Sequence, residues 1–265
     1  MSDIITSLQN PQVKAWRALN RSRAERSRQG LFLAEGEHMA GEAVKEGKVQ
    51  ALLIADTARE KYRGLAKSAA GVTVWYLADH VIQALCDAKT PQGIVAVCGY
   101  PFPAAIPSGA ALLAALDGVQ DPGNVGTLLR TMDAAGFHCL LLDEKTADPY
   151  GPKALRASMG AVFRVPVFRC SSLSDTLDGL QRDGFEIIAG DLRGESFFRR
   201  PRLPDKLCVV IGNEGQGISP EVMCKATMRL KLPIPGGAES LNAAVAGSIM
   251  IYDILRERQT EPFSP

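Results

Sequence analysis

The chain has 265 residues, of which 46% are hydrophobic and 22% charged, with a formal net charge of +1. That length fits one large or two ordinary domains, and the balance allows a buried core without disulfides or metal. No apolar run approaches the ~20 residues of a membrane span, and the N-terminus lacks the basic start and apolar stretch of an export signal. A soluble, cytoplasmic protein is expected. No two of the cysteines (Cys86, Cys98, Cys139, Cys170, Cys208, Cys224) stand within ten residues of each other. Without a C-x-x-C pair, zinc and thioredoxin-like chemistry have no support, and the thiols are expected as reduced core residues.

Charge is uneven along the chain. Residues 1–30 carry Lys14, Arg17, Arg21, Arg23, Arg26 and Arg28 against only Asp3 and Glu25. Guanidinium groups pair bidentately with phosphate oxygens, so this stretch is a candidate nucleic-acid surface, or else a solvated helix face. Next come a short apolar run at Leu31–Leu33, a helical stretch from Glu37 to about Lys45, and a buried strand at Ala51–Ala55. A helix over Thr57–Ala69, capped by Thr57, is followed by strands at Val72–Leu77 and Gly93–Val97 with a helix between them. These form a small α/β domain. Tyr100-Pro-Phe-Pro-Ala-Ala-Ile-Pro-Ser-Gly109 sustains neither a helix nor a central strand, so the expected boundary divides the chain into 1–105 and 106–265.

Beyond it, Ala110–Leu116 is a continuous apolar run ending in Asp117, as in a strand covered on both faces. A helix from about Gly126 to Ala135 follows, then strands at Cys139–Leu142, Val165–Phe168, Glu186–Ala189, Leu207–Ile211 and Met228–Leu232. The last element, Leu241–Arg256, has apolar residues at Leu241, Ala244, Val245, Ile249, Tyr252 and Leu255, which reads as an amphipathic helix capped by Ser240. Strand–helix alternation implies an open, mainly parallel sheet with ligands beyond the carboxyl ends of its strands.

Three loops fall at such ends. Asp121-Pro-Gly-Asn-Val-Gly-Thr-Leu-Leu-Arg130 turns at Pro122-Gly123, and Gly126 opens a helix with Arg130 one turn in; Asn124 offers a donor and an acceptor near its start. It is equally an ordinary turn with a surface arginine. Val209-Val-Ile-Gly-Asn-Glu-Gly-Gln-Gly-Ile-Ser219 sets glycines among polar residues after an apolar strand, where backbone amides can approach a ligand. It lacks the Lys-Ser/Thr of a P-loop, and Gly212-x-x-Gly215-x-Gly217 reverses the dinucleotide spacing. Glu214 suits a cationic or hydroxyl-bearing ligand, or a plain turn with a solvated carboxylate. Leu232-Pro-Ile-Pro-Gly-Gly-Ala-Glu-Ser-Leu-Asn-Ala-Ala-Val-Ala246 leads into the last helix. Its small residues Ala243, Ala244, Ala246 and Gly247 allow close packing within the chain, near a cofactor loop or on a symmetric partner.

In this order and spacing, Asn124, Gly126 and Arg130, then Gly212-Asn-Glu-Gly215 with Gly217, then Ser240-Leu-Asn242 resemble the SpoU/TrmH family of SPOUT RNA methyltransferases over residues 110–257. Lys153-Ala-Leu-Arg-Ala-Ser-Met-Gly-Ala161 resembles the family's Arg-x-Ser-x-Gly-Ala stretch. Asn10-Pro-x-Val-Lys14, the arginine run and Phe32-Leu-Ala-Glu-Gly36 resemble its N-terminal RNA substrate-binding domain. The resemblance implies a SPOUT α/β-knot, a deep trefoil knot that composition and periodicity do not indicate, preceded by a small α/β domain. It implies S-adenosylmethionine held by Ile211, Gly212, Asn213, Gly215, Leu232, Ile234 and Leu241. Methyl transfer to a ribose 2′-hydroxyl would use Arg130, Asn124, Glu214, Ser240 and Asn242, with RNA on Arg21, Arg23, Arg26 and Arg156.

A homodimer whose site borrows a residue from the other subunit is also implied, without metal or membrane. In the same reading Arg130 stabilises developing alkoxide charge, since arginine remains protonated below pH ~12. Glu214 would position Arg130 or the sulfonium, or alternatively accept the proton. Ribosomal RNA is the implied substrate. Transfer RNA, a base-methylating relative and a non-catalytic RNA-binding relative are the alternatives within the family. Outside it stands a nucleotide-dependent dehydrogenase, whose forward glycine fingerprint Asp121–Arg130 does not supply.

Overall fold

The computed structural model describes residues 4–259, leaving Asp3 outside. The chain divides into two compact units. One takes in the chain up to Pro101 together with Asp148–Arg164, and the other takes in Phe102–Ala147 and the chain from Val165 onward.

In the first unit, Asn10 caps α1 (Pro11–Arg21) by accepting the Gln12 N–H, with Pro11 at the first helical position where its missing N–H costs nothing. Ser22 ends α1 and caps α2 (Arg23–Gln29). Then follow β1 (Leu31–Glu35), α3 (Glu37–Lys45), β2 (Val49–Ala55), α4 (Arg59–Ser68), β3 (Thr73–Leu77), α5 (Asp79–Leu85) and β4 (Ile94–Gly99). The sheet order is β1-β4-β2-β3, antiparallel except for β2 with β3. Val13, Trp16 and Leu19 fall at helical spacing and bury the inner face of α1 on Leu33, Leu53, Leu77 and Val95. Thr57 does not cap α4. It lies in a 3-10 turn and donates its hydroxyl to Asp79 Oδ1 at 2.7 Å.

Residues 148–164, from the second half of the sequence, complete this unit. Arg26, expected on RNA, is 5% exposed. Its guanidinium donates to Asp148 Oδ2 at 2.8 Å and to Leu19 O at 2.6 Å, while Tyr100 donates to Asp148 Oδ1 at 3.1 Å. The Tyr150 ring packs on Phe32 with centroids 4.9 Å apart. In α7 (Pro152–Ser158), Arg156 pairs with Asp87 at 2.7 Å, both groups about half exposed. The assignment of Arg26 to RNA is therefore corrected: a buried guanidinium paired with an internal carboxylate is out of reach of a phosphate. Arg21 is exposed and Arg23 half-buried.

The second unit is a six-stranded sheet, parallel throughout, in the order β10-β8-β9-β5-β6-β7. Its elements are β5 (Leu112–Asp117), α6 (Pro122–Ala134), β6 (Cys139–Leu142), β7 (Val167–Arg169), α8 (Leu173–Arg182), β8 (Glu186–Ser196), β9 (Leu207–Gly212), α9 (Pro220–Met223), β10 (Met228–Lys231) and α10 (Ala243–Arg258). β5 and β9 are buried almost end to end, as a parallel sheet covered on both faces requires. Their adjacency brings the loops that follow them together.

Two helix starts differ from expectation. α6 begins at Pro122, because Asp121 caps it by accepting from Gly123 and Asn124 N–H, so Arg130 lies about two turns in. Asn242, not Ser240, caps α10 through the Ala244 and Val245 N–H groups. Cys98, Cys139, Cys170 and Cys208 are buried as expected, whereas Cys86 is half-buried and Cys224 exposed. Burial pushes the Cys86 and Cys139 thiols up to about 12.

Removing one partner of a buried ion pair strands the other charge, so Arg26→Ala is expected to cost about 3–5 kcal/mol of stability. Arg21→Ala, on the exposed end of α1, is expected to change it by under ~0.5 kcal/mol. Denaturant unfolding of the two variants checks this.

Candidate active site

Three loops meet at the carboxyl edge of β5 and β9. The β9 loop is closed by a pair of backbone bonds, Asn213 N–H to Gly217 O at 3.0 Å and Gly217 N–H to Asn213 O at 2.9 Å. Gly212 is required there, since a Cβ would lie 2.3 Å from the Gly217 carbonyl carbon. Asn213 spends its side chain on the loop, accepting from Gly215 and Gln216 N–H and donating to Gly118 O at 2.7 Å. What it offers a ligand is backbone. Asp117, 8% exposed at the end of β5, accepts the Ser219 N–H at 2.6 Å and ties down the far side of the same loop.

Glu214 reaches from this loop to the start of α6. Its carboxylate accepts the Gln120 N–H (3.2 Å), the Asp121 N–H (3.3 Å) and Asn124 Nδ2 (2.8 Å). Asn124 Oδ1 in turn accepts Asn242 Nδ2 at 3.0 Å, and Asn242 Oδ1 accepts the Ala244 and Val245 N–H groups at 2.9 and 3.1 Å. One directed chain of hydrogen bonds thus runs from the cap of α10 through Asn242 and Asn124 to Glu214, joining all three sequence motifs. Partial burial pushes the Glu214 carboxyl up, but the bonds from Asn124 and the backbone outweigh it and hold the group below the ordinary glutamate range.

The expected residues therefore separate. Asn124, Glu214 and Asn242 come together. Within the chain Glu214 is bonded to Asn124 and two backbone amides, while Arg130 stands exposed on α6. Ser240 is exposed and lies before the helix rather than capping it. Leu232 is buried, Ile234 half-buried and Leu241 36% exposed. They supply apolar side chains, and residues 212–215 supply backbone amide and carbonyl groups, which is the chemistry an adenosine calls for. The Ile211 side chain is turned under α10, where a Cβ on Gly247 would lie 2.4 Å from it. Asp117 and the Gln120 amide were not singled out from sequence. The one signal for Asp117 was a carboxylate ending an otherwise apolar strand.

The small residues of α10 have a clear use. Ala243, Ala244 and Gly247 are buried against α6 and β9, and Thr131 Oγ1 lies 2.8 Å from Ser248 Oγ. The opposite face exposes Val245, Ile249 and Tyr252 in a stripe, with the exposed Leu241 just ahead of the helix. α10 is thus apolar on two sides, not amphipathic as expected. Among the described residues no cluster of His, Cys, Asp or Glu could hold a metal ion, and no helix is long and apolar enough to cross a membrane.

Residues 111–252 match the model of the SpoU rRNA Methylase family, and residues 10–96 match the MRM3-like substrate binding domain. The chain belongs to the SpoU rRNA methylase family. It is similar to the 23S rRNA (guanosine(2553)-2′-O)-methyltransferase RlmP of Bacillus subtilis, 35% identical over 94% of this chain and 98% of that one. Among solved structures it is similar to the AdoMet-bound rRNA methyltransferase of Sinorhizobium meliloti (30% identity, 98% of this chain and 99% of the other, TM-score 0.86). It is also similar to the SpoU methyltransferase AviRb of Streptomyces viridochromogenes with AdoMet (28% identity, 94% and 99%, TM-score 0.84). The small N-terminal α/β unit and the parallel SPOUT-type sheet are the fold expected from the motifs, consistent with the knotted methyltransferase fold. The chain is an S-adenosylmethionine-dependent RNA ribose 2′-O-methyltransferase.

Because the folded Glu214 carboxyl lies below its ordinary value, the stabilisation it brings is present above about pH 4.5 and is lost as pH falls through the lowered value. Glu214→Gln is thus expected to lower the melting temperature at pH 7, with the difference from the parent shrinking at pH 4 and below. Melting curves across pH check it; a difference that grows toward low pH contradicts this role.

Proposed function

We propose that this enzyme methylates a ribose 2′-hydroxyl in large-subunit ribosomal RNA, acting as a cytoplasmic homodimer. The observation that carries the reading is the Glu214–Asn124–Asn242 chain, read beside the near full-length similarity to a 23S rRNA enzyme. S-adenosylmethionine supplies a methyl group on a sulfonium centre for in-line displacement. The chain's own task is alignment, since proximity and orientation provide much of the acceleration in such a transfer.

The direction of the hydrogen-bond chain limits what each residue does. Asn242 Oδ1 is spent on the helix cap and Asn124 Oδ1 accepts Asn242, so each amide keeps one N–H to donate. They orient a ribose oxygen and stabilise negative charge growing on it. Glu214, already hydrogen-bonded and held in its ionised form, is a poor proton acceptor and serves as the anchor of the loop. The proton of the hydroxyl then passes to a neighbouring phosphate or to water. Gly212, Gly215 and the Asn213 backbone, with Leu232, Ile234 and Leu241, hold the adenosine. Ile211 contributes its backbone, and Ser240 borders the substrate.

Arg130 acts at the site of the other protomer. Thr127, Arg130 and Ala134 line the exposed face of α6, next to the Thr131–Ser248 contact and hence to the apolar stripe of α10. Burying Val245, Ile249 and Tyr252 against a second copy removes a row of large apolar side chains from water and carries Arg130 across the two-fold axis. There its fixed charge binds the phosphate beside the target ribose. RNA enters on the first unit through Arg21 and Arg23, with Arg156 joining when its exposed pair with Asp87 exchanges for phosphate.

Mapping 2′-O-methyl sites in ribosomal and transfer RNA from cells with and without the protein tests the substrate. One site lost from large-subunit RNA is expected, and a loss confined to transfer RNA overturns the assignment. Arg130→Ala is expected to keep cofactor affinity by calorimetry while turnover falls by roughly 100-fold or more. Ile249→Asp is expected to halve the mass measured by light scattering. An unchanged mass removes α10 as the dimer face.

A further inference from the structure

The segment after β8 carries arginines with opposite fates. Arg200, with a side chain 4% exposed, lies 3.9 Å above the Phe197 ring, donates to Asp253 Oδ2 and to Glu257 Oε2 at 2.9 Å each, and reaches Phe197 O. Glu257 also accepts the Leu203 N–H at 2.8 Å. Residues 197–203 are thereby clamped onto α10. Held outward by that clamp are Phe198, 55% exposed, and the exposed Arg199 and Arg202.

Just upstream, the pairing of β8 with β10 jumps from Ala189–Arg229 to Glu195–Leu230, so residues 190–194 leave the ladder. Leu192 is 58% exposed, and the Arg193 side chain is 86% exposed with a single long contact of 3.6 Å to Asp191. Gly194 packs on the Arg229 carbonyl so tightly that no Cβ would fit, which brings the exposed Arg229 to the same excursion. Among the described residues Arg199, Arg202 and Arg229 have no ion-pair partner. Asp191 and Glu195 are the acids of the stretch, set against Arg193, Arg199, Arg202 and Arg229, which leaves it net basic.

Clustered like charges with too few counter-charges repel, and large apolar side chains left in water gain nothing, so neither feature serves the isolated fold. Together they are what a nucleic-acid strand uses: guanidinium groups for phosphates and an aromatic face for an unstacked base. Charge also decides against a second copy as occupant, since two basic ridges repel each other. β8, β9 and β10 run parallel, so residues 197–202, which follow β8, leave the sheet at the same edge as the Gly212–Gly217 loop and the Leu232–Leu241 loop.

We infer that Leu192, Arg193, Phe198, Arg199, Arg202 and Arg229 form a ridge on the methyltransferase unit that grips single-stranded RNA flanking the target nucleotide. This surface is separate from the basic stretch of the first unit, and the inference rests on the RNA methyltransferase reading. The arginines hold the phosphates and Phe198 stacks a base drawn out of the helix.

The test uses the full chain and in vitro transcribed bacterial 23S ribosomal RNA, with filter binding measured over a range of potassium chloride concentrations. The double variant Arg199→Gln/Arg202→Gln is expected to weaken binding about tenfold near physiological salt and to reduce the slope of log affinity against log salt by about 1–2. Phe198→Ala is expected to weaken binding about tenfold with the slope unchanged. Cofactor affinity and the mass by light scattering should stay as in the parent in both variants. Parent-like affinity and slope in both variants overturn the ridge, and a fall in mass reassigns it to a subunit contact. If the parent chain itself neither binds nor methylates the transcript, the underlying reading fails with it.

Discussion

Three segments far apart in sequence depend on one run of side-chain hydrogen bonds. The carboxylate of Glu214 accepts Asn124, Asn124 accepts Asn242, and Asn242 accepts the first free amides of α10. Each link polarises the next, because the cap donors draw density toward Asn242 Oδ1 and the carboxylate at the other end attracts the Asn124 amide hydrogen. Reversing either amide would set two acceptors or two donors face to face. The orientation of both asparagines is thus fixed from the two ends, by a helix terminus and by a charge. Such a constraint suits an enzyme whose contribution is alignment, since it holds the donors still before substrate arrives.

That constraint needs α10 to lie close to β9 and α6, and its composition follows. With Ile211 and Leu128 side chains where a Gly247 Cβ would stand, any larger residue needs those side chains to give way before the helix can keep this approach. The small face is consequently spent inside the chain. A helix that also exposes Val245, Ile249 and Tyr252 has apolar surface to bury elsewhere, which is why the same element serves both the site and the proposed subunit contact.

Periodicity made most of the architecture legible. Continuous apolar runs in β5 and β9, and alternating strand and helix, gave a covered parallel sheet, because burial on both faces leaves that mark in any sequence. The starts of α6 and α10 were less legible. The turn expected at Pro122-Gly123 is the helix start itself, with aspartate before proline as its signal, and Ser240 and Asn242 have equal propensity for the cap. The motif residues were identifiable by type and spacing, but their grouping was not. That Glu214 faces Asn124 instead of Arg130 depends on β9 pairing directly with β5, a topological fact with no local signature. The small residues of α10 marked a closely packed face, but with Met250, Ile251 and Ile254 buried beside them the helix is apolar on two sides, which a single amphipathic stripe does not describe.

Arginine was the residue most easily misread, and the reason lies in long-range contacts. Arg26 and Arg21 are indistinguishable by composition, and so are Arg200 and Arg199. Arg26 is withdrawn from the surface by Asp148, a carboxylate 122 residues away, and Arg200 by Asp253 and Glu257, 53 and 57 residues away. For Arg26 the consequence reaches the folding of the whole first unit. Its counter-charge and the aromatic neighbour of Phe32 both arrive with residues 148–164, so residues up to Pro101 alone hold a buried guanidinium without its carboxylate. Leaving such a charge uncompensated costs several kcal/mol, on the order of the total stability of a small domain. The proline-rich joint after Gly99 is therefore a boundary in sequence but not in energy, and the first unit completes its core only once the strands β5 and β6 have been passed.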